Sequence, residues 1–175
     1  MTTSQTSLLA LILVGGIGIL LIGVSALMKA AARRKVKACT AATTGTVVDH
    51  RFTGEGRMYP ILEYTVGDAQ YHVRKQFRGV RTVRLSGLPV RTQAAAYEDA
   101  KGWLHVKMGP VARLSTLAEE LWPLGSQMTV YYDPGNPDKS YVERPIIGNF
   151  ATLTANIAGF LLIAVSILLY VLIQR

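Results

Sequence analysis

Residues 8–28 carry no charged side chain, and the nine that follow, KAAARRKVK at 29–37, carry five. As a helix rising about 1.5 Å per residue, the 21-residue run is about 31 Å long, the thickness of a bilayer's hydrocarbon core. No other feature restricts the chain as strongly, because such a helix must be covered by lipid or protein along its length. A second charge-free run, residues 150–173, is closed by Gln174 and Arg175. The predicted layout is an N-terminal end at 1–7, a transmembrane helix at 8–28, a domain at 29–149, a second transmembrane helix at 150–173 and an end at 174–175.

The segment between the runs is long enough for one small domain with its own core. It holds all 11 acidic residues and 18 of the 19 Lys and Arg, a net charge of +7. Orientation follows the cations nearest the spans. Lys29, Arg33, Arg34, Lys35 and Lys37 follow the first span, and Lys139 and Arg144 precede the second; the other side has only Arg175. The expectation is a multi-pass membrane protein with both termini outside and the basic domain in the cytoplasm. The leading MTTSQTS lacks a positive side chain and the apolar run is long, so a cleavable signal is not expected. A single cysteine, Cys39, excludes an intrachain disulfide and fits a reducing compartment.

Neither span contains Asp, Glu, Lys, Arg or His, which argues against a proton or ion pathway. Small residues recur at Ala151, Ala155 and Gly159 on one span and at Gly16 and Gly23 on the other. Small side chains let helix backbones approach, and Asn156 beside the stripe offers an interhelical hydrogen bond. An antiparallel pair within one chain is expected; the same faces would suit a homo-oligomer or a membrane-protein partner.

In the central domain, TGTVVDHRF at 44–52 reads as a strand. A loop at 53–56 leads to MYPILEYTV at 58–66, where Leu62, Tyr64 and Val66 share a face. Pro60 belongs near that strand's start or on an edge. Gly67-Asp68 is a hairpin signal before Tyr71, Val73 and Phe77, which alternate with His72, Arg74 and Gln76. From Arg78 to Arg113 the pattern weakens, and only WLHVKM at 103–108 has strand character. Helical spacing of Leu114, Leu117, Ala118 and Leu121 follows, with a predicted capping box at Thr116 and Glu119. The last strands are 127–132 and a short edge at 140–143. Between them Asp133, Pro134, Asn136 and Pro137 make a structural turn. The predicted fold class is membrane α+β: two transmembrane helices flank a small antiparallel β domain, barrel-like or SH3-like, with one short helix.

TGTVVDHRF, YPILEYTVGDAQYHVR and MTVYYDPGNPDKSYVE, in this order between two apolar spans, resemble the bacterial membrane family designated domain of unknown function DUF3592. The likeness covers residues 45–77 and 125–143, with 131–137 its most specific motif. It implies a small β domain with membrane helices in a bacterial plasma membrane and supplies no catalytic residues.

No residue set commits the chain to a reaction. His50, His72 and His105 form no HExxH and pair with no cysteine cluster, and the GxSxG and Walker patterns are missing. No metal, cofactor or catalysis is expected. The candidate surface is Arg74, Lys75, Arg78, Arg81 and Arg84, joined with the collar Arg33, Arg34, Lys35 and Lys37 in one face laid against anionic headgroups. Nucleic acid is disfavoured because only Phe77 lies among these cations for stacking. The expected role is a non-enzymatic binding or accessory module. An immunity-type protein that blocks a toxin, and an enzyme with its site at 78–113, are the alternatives.

Overall fold

The computed structural model describes residues 3–53, 57–84, 95–108 and 113–174. The expected loop at 54–56, the Gly87, Pro89 and Arg91 part of the excursion, and Arg175 lie outside them. The chain divides into two compact units, one of residues up to Ala32 together with those from Gly148, the other Arg33–Ile147.

The first unit is a helix pair. Helix α1 spans Thr3–Ala38 and α3 spans Phe150–Gln174. Both are long and apolar enough to cross a membrane, and their outer side chains, such as Leu13, Leu20, Phe160 and Leu161, are exposed. α1 continues ten residues past the predicted span, through the collar, because Ala, Lys and Arg favour helix and cations suit a helix C-terminus. Asn149 caps α3, its Oδ1 accepting the Thr152 N–H at 3.0 Å.

The helices run antiparallel with Gly18 against Gly159. A Cβ on Gly18 would stand 2.7 Å from the Gly159 carbonyl oxygen, and one on Gly159 2.8 Å from that of Gly18. Ser25 Oγ donates to the Thr152 carbonyl at 3.1 Å, and Gly15 faces Ser166. The packing stripe on α1 is therefore Gly15, Gly18, Ile22 and Ser25. The predicted Gly16 and Gly23 are exposed, with nothing within 4 Å of an added Cβ, since one helical residue turns a side chain by about 100°. On α3 the expected Gly159 is buried, Ala155 and Asn156 are half-buried, and Ala151 is exposed.

The second unit is built on an antiparallel sheet of five strands: β1 (Ala41–Thr53), β2 (Arg57–Val66), β3 (Ala69–Arg74), β7 (Gln127–Asp133) and β8 (Asn136–Val142). Its order is β3-β2-β1-β7-β8, and the edge strands β3 and β8 approach each other, so the sheet is nearly closed. Pro60 sits inside β2, opposite His50 and buried. It is tolerated because its carbonyl, which accepts Lys75 N–H at 3.2 Å, faces the side where β3 has already ended. In an antiparallel strand a residue's N–H and C=O point to the same side, so the missing donor removes nothing from the β1 ladder.

The excursion holds more structure than its sequence suggests. Strands β4 (Gly79–Arg84), β5 (Ala95–Glu98) and β6 (Trp103–Met108) form a second sheet, ordered β4-β6-β5, with β4 parallel to β6. Its inward Leu104 and Val106 join Val47, Met58, Leu62, Tyr64, Phe77 and Val130 in one core. Helix α2 (Leu114–Leu121) covers that core with Leu117 and Ala118, and its end residue Trp122 is buried too. The predicted capping box is not used. The helix starts at Leu114, which puts Thr116 inside its first turn, and the N-cap Arg113 makes no side-chain cap bond.

Candidate functional site

The five cations predicted to act together separate into different environments. The inward register of β3 continues past its end as Tyr71, Val73, Lys75 and Phe77, so Lys75 is buried while Arg74 and Gln76 are exposed. Its Nζ lies 2.6 Å from Glu143 Oε2 and 2.8 Å from Glu98 Oε2, with the Phe77 ring 5.8 Å away. The ammonium is shared by two carboxylates from β5 and from the residue after β8, so this lysine ties the two sheets together and is not offered to a partner. Glu143 reaches it from a left-handed backbone, φ 52°, a conformation that surrounding contacts must enforce. The sequence carries the signal: a single lysine in an inward-facing period-2 series needs an acidic partner.

Arg74 and Arg81 each cover an aromatic ring, Tyr59 and Trp103 respectively, with the guanidinium carbon 4.9 Å from the ring centroid. Arg78 is exposed. Arg84 ends β4; its side chain lies outside the described part. In the collar, Arg33, Arg34 and Lys37 are exposed on the last turns of α1, and Lys35 is half-buried.

Collar and arginine cluster do not meet along the sheet. Arg74 is opposite Ile61, and Ile61 is opposite Asp49, eight residues beyond Ala41 where β1 starts. That is about 26 Å of strand, or on the order of 15–20 Å along the axis of a closed sheet whose strands tilt by about 40°. Along this register Arg74 is therefore not a neighbour of the collar.

A second polar cluster occupies the β5–β6 turn. Asp99 Oδ1 accepts the N–H groups of Lys101 (2.8 Å) and Trp103 (2.9 Å), and Oδ2 lies 3.1 Å from His105 Nε2. The Trp103 N–H foremost, with His105 and the Lys101 N–H, holds the Asp99 carboxyl below its ordinary value of 3.8. Arg144 donates to the Ala100 carbonyl at 2.9 Å. A depressed folded-state value adds stability that is complete above the ordinary value and is lost as pH falls through the folded one. A carbon-detected titration should accordingly find Asp99 still ionised below pH 3.8, and Asp99→Asn should flatten the acid limb of the stability profile. Titration at or above the ordinary value would contradict the hydrogen-bond geometry.

The histidines are dispersed: His50 Nε2 is 2.8 Å from the Trp122 carbonyl, His72 pairs with Glu63 at 3.3 Å, and His105 faces Asp99. Among the described residues no group of His, Cys, Asp or Glu is arranged to hold a metal ion. Cys39 is buried at the end of α1, where its thiol donates to the Lys139 carbonyl at 3.2 Å and burial pushes its pKa up. In the β7–β8 turn Asp133 Oδ1 accepts the Gly135 N–H at 3.0 Å, Pro134 and Asn136 are exposed, and the Pro137 carbonyl accepts the Tyr64 hydroxyl. The turn is thus held by its own side chains, with Tyr64 anchoring it to the core. The chain matches no protein-family model, no curated protein and no solved structure.

Proposed function

We propose that the chain is a two-span protein of a bacterial plasma membrane that holds a small, SH3-like β domain on the cytoplasmic side as a non-enzymatic binding or accessory module. The observation that carries this reading is α1 itself: apolar side chains exposed along its length give way directly to exposed Arg33, Arg34 and Lys37. Lipid would cover the first set, and anionic headgroups would attract the second at about 1 kcal/mol per cation. Lys75, internally paired, takes no part, and Arg74 lies eight strand residues from where β1 begins. Kinship with the DUF3592 family is part of the proposal, supported by the fact that the resembling stretches supply β1 to β3, β7 and β8, all five strands of one sheet.

Reporter fusions at Arg175 test the sidedness. Alkaline phosphatase should be active there and a fluorescent protein dark, with mixed topology once Arg33, Arg34, Lys35 and Lys37 are all changed to Gln. Fluorescence without phosphatase activity in the parent chain would reverse the orientation.

A further inference from the structure

The second sheet has an outward face that the function above does not use. Its inward side chains are committed: Leu104 and Val106 to the core and Glu98 to Lys75. On the other face the register sets Arg81, His105 and Tyr97 in one row across the three strands, with Val83 and Lys107 in the next row and Trp103 in the row before, opposite Gly79. Tyr97 is 49% and Val83 50% exposed, and Arg81 and Lys107 are exposed. The Tyr97 and His105 rings stack in parallel, 4° apart with centroids 4.8 Å from each other. The Trp103 ring lies over Gly79, where a Cβ would come within 2.4 Å of it, and carries the Arg81 guanidinium 4.9 Å from its centroid. The acidic Asp99 beside this face is occupied by His105 and two backbone N–H groups.

Cations interleaved with ordered planar groups on an open sheet suit a ligand that alternates negative charge with flat rings. Three strands at about 4.8 Å and six residues at about 3.3 Å make a platform roughly 14 Å by 20 Å, the scale on which a sheet stacks two or three bases. Phe77, the one aromatic that the sequence places among the arginines, is buried; the rings that matter come from β5 and β6. An anionic membrane surface is the weaker occupant. Headgroups would attract Arg81 and Lys107 but offer no flat ring to the stacked Tyr97 and His105.

We propose that the outward face of β4-β6-β5 binds single-stranded nucleic acid, with bases stacking on Tyr97 and on the Arg81 guanidinium over Trp103, and Lys107 meeting phosphate. This binding does not depend on the reading of sidedness.

Fluorescence anisotropy of a short labelled oligouridylate against the full chain in detergent tests it. Saturable binding is expected. Tyr97→Ala should weaken it about tenfold without changing its salt slope, and Tyr97→Phe should retain it. Lys107→Gln should lower the slope of log affinity against log salt by about 0.7. Both positions are exposed, so unchanged thermal unfolding of the variants is the control. Arg33→Gln, Arg34→Gln and Lys37→Gln together should leave the affinity as it is. Three results would overturn the proposal: no binding at low salt, binding of duplex as tight as single strand and indifferent to Tyr97→Ala, or loss only in the collar variant. Failure with oligouridylate, coupled to Tyr97- and Lys107-dependent sedimentation with phosphatidylglycerol vesicles, would assign the face to lipid instead.

Discussion

Replacing Lys75 with alanine is expected to cost the β unit about 3 kcal/mol, a large fraction of the stability of a small domain. Removing one member of a buried ion pair leaves its partner charged and uncompensated. Here two carboxylates are left, Glu98 and Glu143, brought toward each other by the ammonium that separated them. Their side chains are 18% and 42% exposed, so water reaches them in part and the loss falls at the low end of the range for buried pairs. Lys75→Met keeps most of the packing volume and should still be destabilising, because the carboxylates remain. The triple change Lys75→Met, Glu98→Gln, Glu143→Gln should recover most of the stability, as replacement of a whole buried ion set by neutral groups often does. Denaturant unfolding followed by the fluorescence of Trp103 and Trp122 measures all three. A loss below about 0.5 kcal/mol for Lys75→Ala, the range of an exposed pair, would mean that solvent already screens the site.

The helix pair offers a contrast between neighbouring glycines. Gly18→Leu or Gly159→Leu is expected to destabilise the α1–α3 packing by about 1–3 kcal/mol, the range for forced overpacking. At both positions the other helix's carbonyl oxygen lies under 3.0 Å from the new Cβ, and backbone cannot swing aside as a side-chain tip can. A Cβ added at Gly16 or Gly23 meets nothing within 4 Å, so Gly16→Leu and Gly23→Leu should leave the packing unchanged. Disulfide trapping between Ser25→Cys and Thr152→Cys in the Cys39→Ser background reads the outcome, with trapping lost in the first pair of variants and kept in the second. The reverse pattern would shift the contact to the Gly16–Gly23 face.

Much of this fold is legible along the chain. β1, β2, β3 and β7 announce themselves because their inward residues, such as Leu62, Tyr64 and Val73, alternate with polar ones within a single strand. β4 and β5 do not. GVRTVR places arginine or solvent-facing valine where alternation would show, AAYE is only four residues long, and β4 acquires its meaning by pairing in parallel with β6, whose first residue lies 24 positions beyond Gly79. The site divides the same way. The collar is visible as a run of charge, but among the described side chains the run at 74–84 conceals one buried cation, two that cover aromatic rings and one simply exposed, a sorting that strand register performs.

By itself, the sequence determined two apolar helices of membrane-spanning length, a basic segment between them and the asymmetry of charge around them. These are sums over neighbouring residues, and hydrophobic transfer and charge count need no partner to be evaluated. Only the tertiary structure decided that Gly18 and not Gly16 meets the other helix, that Lys75 is a buried tie and that Trp103, His105 and Tyr97 join Arg81 on one face. Each of these depends on pairing between distant segments, where a shift of one residue turns a side chain by about 100° on a helix or to the opposite face on a strand.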